Sequence, residues 1–262
     1  LRKASSLQPL SEDAAVQEVQ PLVQALNQLF KRVEIQMASE RQFTSDAAHE
    51  LRTPVAAIRM QAQVDMGASE PIAQSQAMQA LLQGCDRATR LIAQLLELSR
   101  LDAAEFNQDA VSLELVDVIA LTRQQLAESG PAWLAKNQTL NFEAPERLML
   151  KVKPEWLSIV VRNLIDNASR YSPEGSRVQV SWQEGSQPSF TVEDSGPGMT
   201  EIDRDRLGDR FFRVLGNTAL GCGFGWSIVR RISQLSGINV QLGTSASLGG
   251  LKVTLSWPSD SI

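Results

Sequence analysis

Apolar residues recur at steps of three and four along the first hundred residues, the spacing typical of one face of an amphipathic helix. Because no clear stop signal precedes Pro54, the pattern predicts one long helix from about residue 11. Pro54 lacks an N–H and its ring crowds the carbonyl of Glu50, so we expect a bend there. The apolar positions of this helix are Val16, Val19, Val23, Leu26, Phe30, Val33 and Met37, followed by Ala48, Leu51, Val55, Ile58 and Ala62.

A second helix is predicted after the Gly- and Pro-containing turn at 66–71, and it extends to about Leu101. Two helices with wide apolar stripes cannot bury both stripes against each other alone. The pattern therefore predicts a homodimer in which two helical hairpins form a four-helix bundle. The seam of the second helix is Met78, Leu81, Cys85, Ala88, Ile92, Leu95 and Ser99, widened by Leu82, Leu91, Leu96 and Leu98.

A short polar linker is expected at 102–105. After it, segments in which apolar and polar residues alternate with a period of two, together with short helical patterns, replace the long helical pattern. This order favours an α+β sandwich, with helices on one face of a mixed sheet. Strands are expected over 111–115, 138–142, 147–152, 177–183, 189–192, 238–242 and 251–257, the second and third of them as a hairpin. Helices are expected over 116–129, 154–171 and 224–235, with one short helical piece between 195 and 221.

Composition narrows the class of protein. The 262 residues carry a net charge of −5, which does not indicate a nucleic-acid partner. The two cysteines, Cys85 and Cys222, have apolar sequence neighbours and are predicted to be buried free thiols. No apolar run approaches the roughly 18 residues that span a bilayer, and no signal peptide is visible. Since the chain begins at Leu1 rather than Met, we expect a piece of a longer protein whose missing part is N-terminal.

The only histidine of the chain is His49, and the carboxylate of Glu50 follows it directly. Thr53 lies four residues further on and shares a helix face with His49. An imidazole next to a base and a local bend is typical of a histidine that does chemistry. A histidine without a role, on a helix that happens to contain a proline, is an equally good interpretation of this segment alone.

Asn163, Asn167 and Arg170 follow at positions i, i+4 and i+7 of the predicted 154–171 helix, apart from its apolar face. An amide oxygen suits a hydrated Mg²⁺ ion, and a guanidinium group suits a polyphosphate. The alternative is a polar stripe that faces solvent.

Two glycine-rich segments lie downstream. In the first, a strand runs into an acidic residue and then Gly196 and Gly198, which let the backbone approach a ligand closely. A carboxylate at this strand end is suited to accept a hydrogen bond from an exocyclic amine such as that of adenine, although an ordinary tight turn also fits. In the second, a glycine run opens a helix and suits phosphate, but it lacks both the P-loop ending and the G-x-G-x-x-G spacing.

In this order, after a His-Glu-x-x-Thr-Pro helix, the segments closely resemble the cytoplasmic part of a bacterial sensor histidine kinase of a two-component system. The resemblance covers essentially the whole chain and implies three domains. They are a HAMP-derived linker helix (1–40), a dimerisation and histidine phosphotransfer domain (41–104), and an ATP-binding domain of the gyrase, Hsp90, kinase and MutL type (105–262). The stretch from Glu40 to Pro54 is similar to quorum-sensing and polymyxin-resistance sensors.

The resemblance implies a role for each motif. His49 would attack the γ-phosphoryl of ATP, Glu50 would orient the ring and take its proton, and Thr53 would serve in dephosphorylation. Asn167 would hold Mg²⁺ beside Asn163, and Asp194 would read adenine. The other implied nucleotide contacts are Arg170, Tyr171, Gly196, Gly198, Arg213, Gly221, Gly223 and Gly225, with 200–220 as a mobile lid in which Arg210 and Arg213 flank Phe211 and Phe212.

The implied activity is ATP-dependent autophosphorylation on His49 and transfer to an aspartate of a response-regulator receiver domain, with phosphatase activity in addition. Relatives that hydrolyse ATP carry a glutamate where this chain has Asn163, which favours a kinase because an amide is no general base. The implied partners are a second copy of the chain and the receiver domain. The whole protein is expected in the bacterial inner membrane, with this part in the cytoplasm.

The chain departs from the family pattern at Phe224 and Trp226, where the family has leucines (G-x-G-L-G-L). Either the neighbouring core is repacked around the larger rings, or nucleotide affinity is altered. The second possibility leaves open a degenerate kinase that acts as a dimeric signalling scaffold or as a phosphatase only.

Overall fold

The computed structural model describes residues 20–67, 71–104, 112–207 and 224–261, apart from some side chains within the helices. The chain divides into two compact units, Leu1–Ala88 and Thr89–Ile262. Helix α1 spans Gln20–Gly67 and helix α2 spans Pro71–Ala104. The single long helix that continues through Pro54 is therefore confirmed, while its predicted first turns lie outside the described residues.

The C-terminal end of α2 differs from the prediction. Asp102–Ala104 were expected to belong to a linker, but they form the last turn of α2. This turn has partners in its own unit, since Leu101 is buried and an Asp102 Oδ1 lies 3.0 Å from Nε of Arg231. Tertiary contacts of this kind hold a helix end that polar composition alone would leave as a loop.

The second unit continues with seven strands, four further helices and a short 3₁₀ turn among the described residues. The elements are β1 Glu114–Asp117, α3 Val118–Ala135, β2 Thr139–Glu143, β3 Met149–Val152, α4 Pro154–Tyr171, β4 Arg177–Gln183, β5 Ser189–Asp194, α5 Glu201–Arg206, α6 Phe224–Leu235, β6 Asn239–Thr244, β7 Leu251–Ser256 and the 3₁₀ turn Ser259–Ser261. The predicted helices at 154–171 and 224–235 and the strand at 177–183 are confirmed to the residue.

Five of the strands form one mixed sheet in the order β2-β4-β5-β7-β6. The β2–β4 pair is parallel and the other pairs are antiparallel. Helices α3, α4 and α6 pack side by side, with α4 against β5. The predicted α+β sandwich, with helices on one face of a mixed sheet, is confirmed.

The two faces of this sheet differ in polarity because successive strand residues point to opposite sides. The buried face is apolar, with Val180, Phe190 and Leu255 fully buried. Trp182 joins this face and donates its indole N–H to Thr122 Oγ1 of α3 at 2.9 Å. The other face carries polar pairs, among them Thr191 with Thr254 at 3.2 Å. The core therefore lies between the sheet and its helices.

Two expectations about strands and helices were wrong. Strands β2 and β3 form no hairpin: β2 pairs in parallel with β4, and β3 pairs antiparallel with β1. Period-two alternation predicts a strand but not the strand with which it pairs. Here the chain crosses over through α4 between β2 and its parallel partner β4. Helix α3 passes Gly130 and Pro131 and ends at Ala135, because continuing it buries Trp133.

The prediction of buried cysteines is wrong at Cys85, which is exposed on α2 as a free thiol. Cys222 lies outside the described residues. Cys85 belongs to the predicted seam of α2, and the single chain leaves it uncovered, as it does Met78 and Ile92 of the same seam.

Candidate active site

Asp194, the last residue of β5, is a buried carboxylate at the edge of the apolar side of the sheet, 7% exposed. Its Oδ1 accepts hydrogen bonds from the backbone N–H of Gly196 at 2.9 Å and of Leu251 at 3.2 Å. Burial raises the pKa of Asp194, and these two hydrogen bonds partly offset that effect. The described hydrogen bonds reach only Oδ1, so Oδ2 is the oxygen available to a ligand.

Glycines wall this carboxylate. A Cβ on Gly196 would lie 2.9 Å from Asp194 Oδ1 and 3.1 Å from the carbonyl oxygen of Tyr171. A Cβ on Gly250, the residue before β7, would collide with the carbonyl oxygen and Oδ1 of Asp194. Gly198 has φ +69°, a conformation that L side chains rarely adopt. These glycines therefore let the backbone pack directly against the carboxylate, where any side chain would displace it.

The C-terminal end of α4 is fixed beside this space by the buried side chain of Gln138. Its Nε2 donates to the carbonyls of Ser169 and Ser172 at 3.0 and 3.1 Å, and its Oε1 accepts from Ser169 Oγ at 2.7 Å. Ser172 Oγ is buried and finds no hydrogen-bond partner among the described residues. It lies near Gly196, at 3.2 Å from the position of a Cβ there.

A second group of polar atoms lies where α4 meets the first turn of α6. A Cβ on Gly225 would lie 2.8 Å from Asn163 Oδ1 and 3.6 Å from Asn167 Oδ1, so both amide oxygens point toward this glycine. Asn163 is buried, and its Nδ2 donates to the carbonyl of Ile159 at 2.8 Å. The alternative of a solvent-facing stripe therefore does not describe Asn163. Neutral amide oxygens are ligands that fit Mg²⁺.

The structure describes the remaining predicted site residues only in part. Arg170 and Tyr171 form the last, half-buried turn of α4. His49 and Glu50 belong to α1, but their side chains lie outside the described part, and Thr53 is exposed on the same helix. Arg213, Gly221 and Gly223 lie outside the described residues, together with Arg210, Phe211 and Phe212.

Two family comparisons match the two motif-bearing segments. Residues 39–104 match the His Kinase A (phospho-acceptor) domain, and residues 152–261 match the histidine kinase-, DNA gyrase B-, and HSP90-like ATPase family. The chain belongs to the sensor histidine kinases. The first match contains His49 and the second contains both polar sites described above.

Relatives of this histidine kinase agree with the assignment. The Sensor protein QseC of Escherichia coli (strain K12) is 43% identical over 259 residues, covering 98% of this chain and 56% of the relative. The swarming motility regulation sensor protein RssA of Serratia marcescens is 32% identical over 243 residues, covering 92% of this chain and 51% of the relative. The chain thus spans about half the length of the curated relatives it matches.

Among solved structures, the Acinetobacter baumannii histidine kinase AdeS superposes with a TM-score of 0.64 at 20% identity. The match covers 81% of this chain and 98% of that chain, and it shows a shared fold. None of the described helices combines the length and apolar character that crossing a membrane requires.

The two aromatic departures from the kinase pattern are both part of the core. Phe224 is fully buried and Trp226 is 9% exposed. The indole N–H of Trp226 donates to the carbonyl oxygen of Leu207, just after α5, at 2.8 Å. A leucine has no donor for this bond. The burial agrees with a repacked core, while the effect of the rings on nucleotide affinity stays a prediction.

Sequence reasoning missed two residues that build the site: Gln138 and Gly250. The signal for Gly250 was present, because a Gly-Gly pair before a closing strand marks close approach of two backbones. Gln138 acts through partners more than thirty positions along the chain, and no local spacing marks such contacts.

Proposed function

We propose that this chain phosphorylates His49 with ATP bound in its C-terminal unit and transfers the phosphoryl group to an aspartate of a response-regulator receiver domain. The observation that carries the proposal is the pairing of a glycine-walled, buried Asp194 with the amide oxygens of Asn163 and Asn167 beside Gly225. The first group suits an adenine ring, and the second suits a triphosphate and its metal. Both lie in the segment that matches the ATPase family.

In the proposed binding mode, Asp194 Oδ2 accepts a hydrogen bond from the exocyclic amine of adenine. Gly196 and Gly250 let the backbone pack against this carboxylate and keep side chains away from it. The backbone hydrogen bonds to Oδ1 hold the carboxylate still before the ligand arrives. Such preorganisation favours binding because little freedom remains to be lost.

The proposed metal ligand is the Asn167 amide oxygen, with Asn163 beside it. Mg²⁺ bound there supplies neutralisation of phosphate charge, which is much of what phosphoryl transfer needs. Among the described residues no group of three or more His, Cys, Asp or Glu side chains converges on a metal site. In the proposed site, the amide oxygens would share the metal with the nucleotide's own phosphates.

In the proposed reaction the neutral imidazole of His49 attacks the γ-phosphorus, and the bond from that phosphorus to the β–γ bridging oxygen breaks. ADP leaves, and the imidazole proton passes to the Glu50 carboxylate. A receiver-domain carboxylate then takes the phosphoryl group from His49. Asn163 supplies no base for water, which leaves His49 as the acceptor. Thr53 is proposed to serve response-regulator dephosphorylation.

We also propose a homodimer that forms a four-helix bundle from two copies of the α1–α2 hairpin. Apolar side chains exposed on both helices support it, among them Val55 (56%), Leu82 (56%) and Leu96 (55%). The proposed domains are 1–40, 41–104 and 105–262. The continuity of α2 through Ala104 and the family match ending there favour the second boundary. The complete protein is proposed to be anchored in the bacterial inner membrane.

The test is incubation with γ-labelled ATP and Mg²⁺. We expect label that is stable in alkali and labile in acid, and its loss in His49→Ala. Ser45→Ala, one turn away on α1 and exposed, is the matched control and should label like the original chain. Absence of label at millimolar ATP would instead favour the degenerate kinase that acts as a scaffold or a phosphatase.

A further inference from the structure

Two consecutive residues of β5 contact the same turn from opposite faces of the sheet. The turn joins β6 to β7 and comprises residues 245–250, called the hairpin turn below. Asp194 points to the helix-covered side, and Glu193 must point to the polar side because strand side chains alternate. The backbone of the turn is closed by hydrogen bonds from Ser245 N to the Gly250 carbonyl at 2.8 Å and from Gly249 N to the Ser245 carbonyl at 2.9 Å.

Glu193 uses both carboxylate oxygens to hold this turn. Oε2 accepts from Ser245 Oγ at 3.1 Å and from Ser247 Oγ at 2.9 Å, and Oε1 lies 2.8 Å from Nζ of Lys252. Ser245 Oγ in turn accepts from Leu248 N at 3.0 Å. One side chain therefore ties the first half of the turn to the strand that follows it.

The second half of the turn contacts Asp194. Gly250 N donates to the Asp194 carbonyl at 3.1 Å, and Leu251 N donates to Asp194 Oδ1 at 3.2 Å. Leu251 is the first residue of β7 and directly follows the turn, so a shift of the turn at Gly250 also moves one of the two donors that orient this carboxylate. The contacts form a continuous path from Glu193, through the turn, back to its neighbour Asp194.

The charge state of Glu193 agrees with this role. Burial acts to raise the pKa of Glu193, but hydrogen bonds from Lys252, Ser247 and Ser245 outweigh it and lower the pKa. The carboxylate is ionised at neutral pH, and hydrogen bonds to an ionised acceptor are stronger than neutral ones. An exposed ion pair would contribute little, but the Glu193 side chain is only 13% exposed.

We propose that Glu193 is a positioning residue for the adenine pocket: it fixes the hairpin turn, and the turn fixes the orientation of Asp194. The inference rests on the proposed nucleotide site and deepens it. It assigns part of the selectivity for adenine to a residue that does not touch the nucleotide. A guanine ring presents a carbonyl where adenine presents its amine, so its binding gains nothing from a well-oriented Asp194 oxygen.

The first measurement needs no nucleotide. In Glu193→Gln, amide hydrogen exchange at Gly196, Gly250 and Leu251 should rise about tenfold, the loss expected for one hydrogen bond to a charged group. Glu184→Gln removes the same charge from an exposed position at the other end of the β4–β5 hairpin, and exchange should not change. Unchanged exchange in Glu193→Gln overturns the proposal.

The second measurement separates positioning from a general loosening of the fold. ADP affinity of Glu193→Gln should fall about tenfold while GDP affinity stays within about twofold. An equal loss for both nucleotides, or no loss for ADP, overturns the positioning role. If Glu193→Gln does not fold, the Ser245→Ala/Ser247→Ala double variant removes two of its donors and should show the same pattern. If the original chain does not bind ADP, the proposed nucleotide site is overturned. The hydrogen-exchange measurement would still test whether Glu193 holds the hairpin turn.

Discussion

The two long helices and the α/β region use hydrophobic patterning in different ways. In the α/β region the apolar side chains are buried within the single chain: Phe190, Phe224 and Leu255 have no exposed surface. Along α1 and α2, Leu22, Met60 and Leu82 are 64%, 65% and 56% exposed. The α/β region completes its core within one chain, whereas α1 and α2 leave a large apolar surface uncovered.

This difference shows what a periodic pattern establishes and what it does not. A spacing of three and four predicts a helix and its apolar face, but not whether the covering surface belongs to the same chain. On α2, Leu91 and Leu98 are buried, whereas Met78 and Ile92 of the predicted seam are each 47% exposed. Stripes this wide and uncovered are a feature of association surfaces.

The largest effect is expected when a charge enters the exposed face of the helical hairpin. Leu82→Glu should raise the dimer dissociation constant about 1,000-fold, because each copy buries a carboxylate at a cost of about 2 kcal/mol. Light scattering measures the oligomeric state, and circular dichroism checks that the helices remain. Leu134→Glu makes the same change on α3 at a side chain that is 77% exposed and should leave the dimer intact. A dimer of unchanged affinity in Leu82→Glu would contradict the four-helix bundle.

The next effect tests the region that is complete within one chain. Gly250→Ala places a methyl group against the carbonyl oxygen and Oδ1 of Asp194. Backbone atoms cannot yield as a flexible side chain would, so ADP affinity should fall about 100-fold, measured by calorimetry. Gly243→Ala on β6 is the control, since nothing lies within 4 Å of the added methyl group. Equal affinities for the two variants would show that Gly250 does not border the nucleotide site.

How far the sequence predicts this fold depends on the range of the contacts. Helices α4 and α6 follow from local periodicity, and Pro154 and Phe224 mark their starts correctly. The partners of β2 and β3 do not follow, because pairing is decided by contacts across the whole sheet. The last turn of α2 was also missed, because its polar residues find a partner more than a hundred positions away.

The same division applies to the site. Asn163, Asn167 and Asp194 stand out in the sequence because their residue types and spacing carry chemistry. The structure adds what spacing cannot express: Gly225 lies against the Asn163 amide, and Gly250 lies against Asp194. The support from Gln138 and Glu193 depends on three-dimensional packing and has no local signature. Residues that touch a ligand are therefore easier to predict than those that hold them.

The smallest effect concerns Asp194 and Glu193, two neighbours whose pKa values shift in opposite directions. The measurement is the free energy of unfolding as a function of pH, without nucleotide. The raised pKa of Asp194 means that folding opposes its ionisation. The stability that the neutral Asp194 carboxyl contributes is fully present below the pKa that this group has in the unfolded chain. It is lost as pH rises through the pKa that the group has in the folded chain. Asp194→Asn should therefore be more stable than the original chain near pH 7, by about 1 kcal/mol, with the advantage vanishing in acid.

Glu193 has the reverse sign because its pKa is lowered in the fold. The ionised Glu193 carboxylate stabilises the fold above the pKa that this group has in the unfolded chain. That stabilisation is lost as pH falls through the pKa of Glu193 in the folded chain. Glu193→Gln should thus be less stable at pH 7 and approach the original chain in acid. Two adjacent carboxylates would then give difference curves of opposite slope. Parallel curves would mean that the buried Asp194 carries no electrostatic cost, and that its side of the sheet is as well solvated as the polar face that holds Glu193.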